Sequence, residues 1–370
     1  MSDMIRILHV FGIMNRGGAE SMLMNIYENI DRDKYTFDFV VHSDEKGDFD
    51  SRIKELGGHI YRCPKFSMNK IFQYKKWWKC FLREHNEFNI IHSHIRSSAA
   101  IYLRIAKKNN IKTIVHSHST SNGTGFSSFV KRLMQLPLFR MADRCVACSD
   151  EAAVWLFGKK VLNSKKYYLV KNSIDANKFA FSQSARDFYR KDLEIDGRIV
   201  LIHVGRFHEA KNHMFLLNIF KDLYYQNNKY CLLLVGDGEL RPDIEWFVSH
   251  YKLSEAVKLL GVRDDIGNLL SASDIFVFPS KWEGLGLSIV EAQANGIRCF
   301  ISNVIPNIAI VLNDLVTKLP IANGTDVWVD AINKCEYRRT PQFDKFLLSG
   351  YDIHSSIETI EKLYEGLFYE

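Results

Sequence analysis

Short apolar runs of four to seven residues, rich in Val, Ile, Leu, Phe and Tyr, recur along the whole chain, and between them apolar residues fall at three- and four-residue spacings. The runs read as strands buried on both faces and the spaced stretches as helices with one apolar stripe. Their alternation predicts parallel sheets joined by crossover helices. In the first half the predicted strands cover 5–11, 37–42, 59–62, 90–94, 112–116, 144–148 and 168–171. In the second half they cover 198–204, 230–235, 257–260, 275–278 and 298–302. Each set suffices for one doubly wound sheet, and polar, turn-prone sequence near 175–197 separates them. This gives an α/β protein with one Rossmann-like domain over 1–178 and a second over 179–352. A last helix over 353–370 carries Ile357, Ile360, Leu363, Tyr364 and Leu367 on one stripe and is expected to pack back on the first domain. Doubly wound sheets take ligands at the carboxyl ends of their strands, so the chemistry is sought there, facing a cleft between the domains.

At 370 residues with 46% hydrophobic content the chain can bury two sizeable cores, which excludes wholesale disorder. No apolar run approaches the ~18 residues a spanning helix requires. The N-terminus lacks the cleavage pattern of a signal peptide. Seven scattered cysteines, an odd number, read as reduced thiols of a cytoplasmic protein. Cys145 and Cys148 have metal-ligand spacing, but no second pair accompanies them, so buried small hydrophobes are the better reading. The net charge of +6 conceals a split: residues 1–185 hold 29 Lys and Arg against 17 Asp and Glu, or +12, which leaves −6 for the remainder. A basic first half suits an anionic partner, and without a zinc finger or an arginine-rich recognition helix a membrane surface is favoured over nucleic acid.

Five places carry candidate chemistry. The run at 5–11 leads through Arg16-Gly17-Gly18-Ala19-Glu20 into a helical pattern, and a glycine pair there either lets backbone N–H groups close on a phosphate or simply turns the chain. It is not a Gly-x-Gly-x-x-Gly fingerprint, which disfavours a nicotinamide dinucleotide. Arg206 and Lys211 follow the strand at 198–204, where paired cations suit a diphosphate, the alternative being a solvated basic loop. Glu283 and Glu291 frame the turn Gly284-Leu285-Gly286-Leu287-Ser288, whose N–H groups suit phosphate, while Glu283 suits sugar hydroxyls. Ser288 with Glu291 also fits a capping box, with Gly296 as the terminating residue. His92, His94, His116 and His118 form two His-x-His pairs at ends of neighbouring predicted strands. With no carboxylate or cysteine to complete a ligand set, hydrogen bonding to a polar ligand is a better reading than metal. Finally, residues 70–83, from Lys70 to Arg83, contain no acid. Ile71, Tyr74, Trp77, Trp78, Phe81 and Leu82 share one helical face and Lys75, Lys76, Lys79 and Arg83 the other, which fits either an interfacial helix on anionic lipid or a helix packed on its own sheet.

The order of these motifs resembles the retaining glycosyltransferases of family four, which have the two-domain GT-B fold. The resemblance runs over nearly the whole chain. It rests on Gly17-Gly18-Ala19-Glu20, Val204-Gly205-Arg206 with Lys211, Val235-Gly236-Asp237-Gly238, Phe278-Pro279-Ser280, and Glu283-x7-Glu291 followed by Ala292. Val41 to Glu45 and His116-Ser117-His118 look further like bacterial capsule and exopolysaccharide members. The resemblance implies transfer of a sugar from a nucleotide-sugar, a UDP-sugar, to a lipid-linked saccharide built on a polyprenyl diphosphate, by an enzyme peripheral to the inner face of the membrane. It implies that Arg206 and Lys211 hold the diphosphate without a metal, that Glu283 binds donor-sugar hydroxyls and Glu291 the ribose, and that Gly284, Leu285, Gly286, Leu287 and Ser288 offer N–H groups to phosphate. Gly17 and Gly18 would close on the donor and His116 or His118 would touch the sugar. No cofactor is expected. One segment departs: where many members carry Gly-Gly-x-Pro-Glu, this chain reads Asn303-Val304-Ile305-Pro306-Asn307. A non-hydrolysing sugar-nucleotide epimerase of the same fold is the competing reading, separable because it would convert the donor without any acceptor.

Overall fold

A computed structural model describes residues 4–118, 126–337, 339 and 342–370, and for residues 126–129 the backbone alone. The chain divides into two compact units, Met1–Ser173 with Ile353–Glu370, and Ile174–Asp352. The break after Ser173, rather than after 178, follows the hydrogen bonds: Ile174 N–H donates to the Tyr351 carbonyl at 3.0 Å, whereas the Ser173 hydroxyl meets Ser356 of the terminal helix at 2.8 Å. The turn-prone stretch 175–197 holds the helix Gln183–Asp192, capped by the Ser182 hydroxyl.

The first unit is built on seven strands: β1 (Ile5–Phe11), β2 (Tyr35–Val41), β3 (Ile60–Arg62), β4 (Ile90–Ser93), β5 (Lys112–Ser117), β6 (Arg144–Ala147) and β7 (Tyr167–Leu169). They lie all parallel in the order β3-β2-β1-β4-β5-β6-β7. Six strands build the second: β8 (Ile199–Val204), β9 (Tyr230–Val235), β10 (Val257–Gly261), β11 (Ile275–Phe278), β12 (Arg298–Ser302) and β13 (Val316–Leu319). Their order is β10-β9-β8-β11-β12-β13, again all parallel. Both are Rossmann orders. Each reverses direction at one point, between β1 and β4 and between β8 and β11, the place where doubly wound sheets take their ligands.

Strand residues alternate between two apolar layers, as a sheet covered by helices on both faces requires. In the first unit Leu8, Val10, Ile91 and Val115 face the helices Ile71–Glu84 and Ala99–Lys108. Ile7, Phe37, Phe39 and Ile114 face the helices Gly18–Asn29 and Ile353–Phe368, so the terminal helix completes the first core through Ile353, Leu363, Tyr364 and Leu367. The helix Ile71–Glu84 shows how its composition is used. Trp78 is fully buried and stacks on Tyr102 with ring centres 4.5 Å apart, Trp77 stacks on Phe81 at 4.8 Å, and Lys75, Lys76, Lys79 and Arg83 stay exposed. Its apolar face is therefore core. The exposed apolar groups beside the cations are Phe72 and Met68, not the tryptophans.

Candidate active site

In the second unit the loops after β8 and β11 meet at the switch point. β8 ends at Val204 and the chain turns through Gly205 toward Lys211. Glycine at 205 leaves room for the lysine, since a Cβ there would sit 3.2 Å from Lys211 Cε and push that side chain aside. The loop after β9 presses from the other side. Gly236, at φ +135°, lies so close to the Gly205 carbonyl that any side chain would collide with it, and a Cβ on Gly238 would stand 2.5 Å from the Phe207 carbonyl oxygen. Asn212, in the left-handed region at φ 58°, donates its Nδ2 to the Pro279 carbonyl at 3.1 Å, and Lys281 N–H donates to the Ala210 carbonyl at 2.8 Å. These bonds tie the two loops into one frame. Within it Lys211 Nζ donates to Glu283 Oε1 at 2.6 Å and lies 4.7 Å from the centre of the Phe278 ring. Both side chains are mostly buried, so the attraction is little screened. Arg206 stands differently: it is exposed, and its guanidinium is 3.7 Å from Glu239, which His208 also approaches at 3.7 Å.

Beyond Glu283, Gly284 has open space where a side chain would project, and Gly286, at φ +78°, is the N-cap of the helix Leu287–Ala294. No side chain caps that helix. Ser288 is its second residue and lies inside it, so the capping box expected from Ser288 and Glu291 does not form; the left-handed Gly286 starts the helix instead. Its other end matches expectation. Gly296 N–H donates to Gln293 and Ile297 N–H to Ala292, a Schellman closure with Gly296 at φ +73°. Leu285 packs partly on the core beneath. Glu291 is one turn into the helix, and desolvation pushes its carboxyl up to about 7. The divergent segment is anchored elsewhere: Ile305 is buried, and Lys318 Nζ donates to the Ile305 carbonyl at 2.6 Å and to Asn307 Oδ1 at 2.8 Å.

In the first unit the two histidine pairs come together at the β1/β4 switch point, as strand alternation and parallel pairing require. A fifth joins them. His9 of β1 stands in register with His92 of β4, and β4 in turn pairs with β5. His9 Nδ1 lies 3.1 Å from His94 Nε2, His94 Nδ1 lies 2.8 Å from His118 Nε2, and His116 and His118 stack with ring centres 3.9 Å apart. His92 Nδ1 meets the Tyr364 hydroxyl of the terminal helix at 2.8 Å. Burial pushes His9 and His118 down to about 3 and lowers His92, His94 and His116 well below the ordinary imidazole range, so the cluster is neutral near pH 7. Sequence reasoning missed His9 because it has no His-x-His partner on its own strand, although its place in the central run at 5–11 was the signal.

Gly17 is the N-cap of the helix Gly18–Asn29, with no side-chain cap, and Gly18 has open space at its Cα. The carboxylate of Glu20 folds back over Gly17, where any Cβ would collide with it, and it accepts its own backbone N–H. An anion of the chain's own thus already occupies part of this helix start. His42, a neighbour at the end of β2, bonds the Tyr74 hydroxyl at 2.7 Å and is held neutral by burial.

Two family models match the chain: the one described as Glycosyltransferase Family 4 over residues 16–178 and the one described as Glycosyl transferases group 1 over residues 185–342. The putative glycosyltransferase EpsF of Bacillus subtilis (strain 168) is 33% identical, over 98% of this chain and 97% of that protein. The UDP-Gal:alpha-D-GlcNAc-diphosphoundecaprenol alpha-1,3-galactosyltransferase of Escherichia coli is 26% identical over 76% of each. Among solved structures, that of Anabaena Alr3699/HepE in complex with UDP superposes with a TM-score of 0.80 at 18% identity, covering 98% of this chain and all of that one. With both sheets in Rossmann order, both family models matched and a full-length relative at this identity, the chain belongs to the family 4 glycosyltransferases of GT-B fold and is a glycosyltransferase.

Proposed function

We propose that this enzyme is a retaining glycosyltransferase that moves a sugar from a UDP-sugar to a saccharide carried on a polyprenyl diphosphate, in capsule or exopolysaccharide synthesis. The observation that carries the reading is the buried Lys211–Glu283 pair at the β8/β11 switch point, beside an open glycine turn at a helix start. A lysine there answers the charge of a diphosphate, and a carboxylate there accepts from sugar hydroxyls, so one pair serves both halves of a sugar diphosphate. Arg206, extended into solvent, adds a second cation to the diphosphate. The N–H groups at Gly284, Leu285, Gly286, Leu287 and Ser288 face phosphate with the positive end of the helix behind them. Glu291 takes the ribose hydroxyls. In the first unit, His116 or His118 hydrogen-bonds a sugar hydroxyl. Gly17 and Gly18 take phosphate once Glu20 moves aside.

Two cations replace the divalent metal that a diphosphate leaving group otherwise needs, so transfer is metal-independent. The bond from the anomeric carbon to the departing phosphate oxygen breaks, the acceptor oxygen bonds the same face, and its proton passes to that phosphate oxygen. UDP in a structural neighbour and diphosphoundecaprenol in a relative's name support the donor and acceptor classes. The test incubates purified protein with UDP-glucose, UDP-galactose and their N-acetyl forms, with and without a synthetic polyprenyl-diphosphate sugar, in EDTA. An α-linked product formed from the α-linked donor in EDTA is expected. Restoration only by magnesium or manganese, or conversion of the donor without acceptor, would overturn the reading.

A further inference from the structure

The five-histidine cluster does more than fill a core. Buried polar atoms are nearly always satisfied, because an orphaned one costs roughly 1–3 kcal/mol, yet His9 Nε2, His92 Nε2, His118 Nδ1 and both nitrogens of His116 are buried without a partner among the described residues. Five orphans in one place call for a ligand. The same rings form two sets, His9–His92–His94 and His94–His116–His118, in which each residue brings a ligand atom within 4.8 Å of the others. The second set is the better centre. His94 Nδ1 and His118 Nε2 already face each other across 2.8 Å, and tetrahedral nitrogens about 2.0–2.1 Å from zinc stand roughly 3.3 Å apart, so this pair has to open only slightly and turn its lone pairs toward a common point to admit an ion. His116, stacked on His118, brings an uncommitted nitrogen as the third ligand. The outer ring is also present: His94 Nε2 is bonded to His9 Nδ1, the kind of partner that fixes the tautomer of a metal-bound imidazole.

We propose that His94, His116 and His118 form a site for a single zinc ion, with water as the fourth ligand and His9 orienting His94. All-imidazole donors without a carboxylate or thiolate select zinc and its late-transition neighbours over magnesium or calcium. The proton now shared between His94 and His118 shifts to an outer nitrogen of the same chain of rings, so the imidazoles release no proton on coordination, and any proton released comes from the zinc-bound water. The ion takes no part in the diphosphate chemistry at Lys211. If His116 or His118 contacts the sugar, zinc inhibits transfer, and that consequence alone rests on the proposed function.

The test is calorimetric titration of EDTA-treated, fully dialysed protein with Zn2+, repeated with Co2+ and read in the visible. One ion per chain is expected, with a cobalt spectrum of four-coordinate nitrogen and oxygen ligation. His94→Ala and His116→Ala should weaken binding at least a hundredfold, and His9→Phe ten- to a hundredfold, as for loss of an outer partner. His118→Gln, at the strand end, is the second variant should a core substitution fail to fold by circular dichroism. Absence of saturable binding by wild-type protein overturns the site, as does a thiolate charge-transfer band from the free cysteines or affinity unchanged in the variants. Zinc bound at one per chain without inhibiting transfer would support the site and remove the two histidines from the sugar.

Discussion

Glu291 is a carboxyl whose environment and proposed role pull in opposite directions. Burial holds it protonated up to about pH 7 in the free protein, whereas ribose hydroxyls donate to an ionised carboxylate. UDP affinity should therefore rise with pH between about 5.5 and 8, and Glu291→Gln should flatten the profile in titrations across that range. Stability runs the other way. The folded-state pKa lies above the ordinary value of 4.5, so the contribution of the neutral group is full below 4.5 and is lost as pH rises through 7. Glu291→Gln should thus gain most over wild type, in melting temperature, at pH 8. At Glu283 the expectation is kinetic: Glu283→Ala should lower kcat at least a hundredfold, about 2.7 kcal/mol, while UDP affinity changes less than tenfold, since Lys211 remains to meet the diphosphate. Unchanged turnover would exclude Glu283 from the site. The positions of Glu283, Lys211 and the histidine pairs were legible because each lies at or beyond the carboxyl end of a strand. The contacts were not: nothing local in sequence shows that Glu20 folds over Gly17, that Gly286 rather than Ser288 starts its helix, or that His9 reaches His94 across a strand.

Elements were legible where a run is fully buried. β1, β9, β11 and β12 match their apolar stretches nearly end to end, because strands covered on both faces carry continuous Val, Ile, Leu and Phe. β13 was not, since Val316–Leu319 is an edge strand in which Thr317 and Lys318 interrupt the apolar pattern and only Leu319 is buried. The helix Ile71–Glu84 was legible as amphipathic but ambiguous in partner, because periodicity reports a face and not what covers it. Burial decides it. Trp78→Ala should cost about 3–5 kcal/mol by chemical denaturation, as a cavity beneath Tyr102 opens in the core. Reversing Lys75, Lys76 and Lys79 to Glu should leave stability within about 0.5 kcal/mol, since all three are exposed and the stacked aromatic rings beneath them are untouched. A large loss in the charge-reversed variant would mean that the cations themselves hold the helix.

For the molecule as a whole, charge is the property that distinguishes the two halves, and it bears on where the acceptor is met. The acceptor proposed above, a polyprenyl diphosphate, would stay in the bilayer, and among the described residues no helix is long and apolar enough to cross a membrane. For the proposed acceptor, a surface patch on the enzyme would serve for attachment. Residues 1–185 carry +12 and the rest −6, so an anionic bilayer would attract the first part of the chain and repel the second. The helix Ile71–Glu84 offers Lys75, Lys76, Lys79 and Arg83 in solvent, with Phe72 83% and Met68 60% exposed beside them. At about 1 kcal/mol for each basic residue near an anionic surface, four cations give reversible association, and two shallow apolar side chains add to it without a spanning segment. The purified protein should co-sediment with phosphatidylglycerol vesicles but not with phosphatidylcholine vesicles, and salt should release it as screening shortens the reach of the charges. The triple Lys→Glu variant should lose that association and transfer poorly to lipid-linked acceptor, while its UDP affinity stays at the wild-type value. Phe72→Ser should weaken binding less than the charge reversal and leave its salt dependence intact. If the triple variant binds phosphatidylglycerol as well as wild type, this helix is a core element alone and the enzyme reaches its acceptor by another surface.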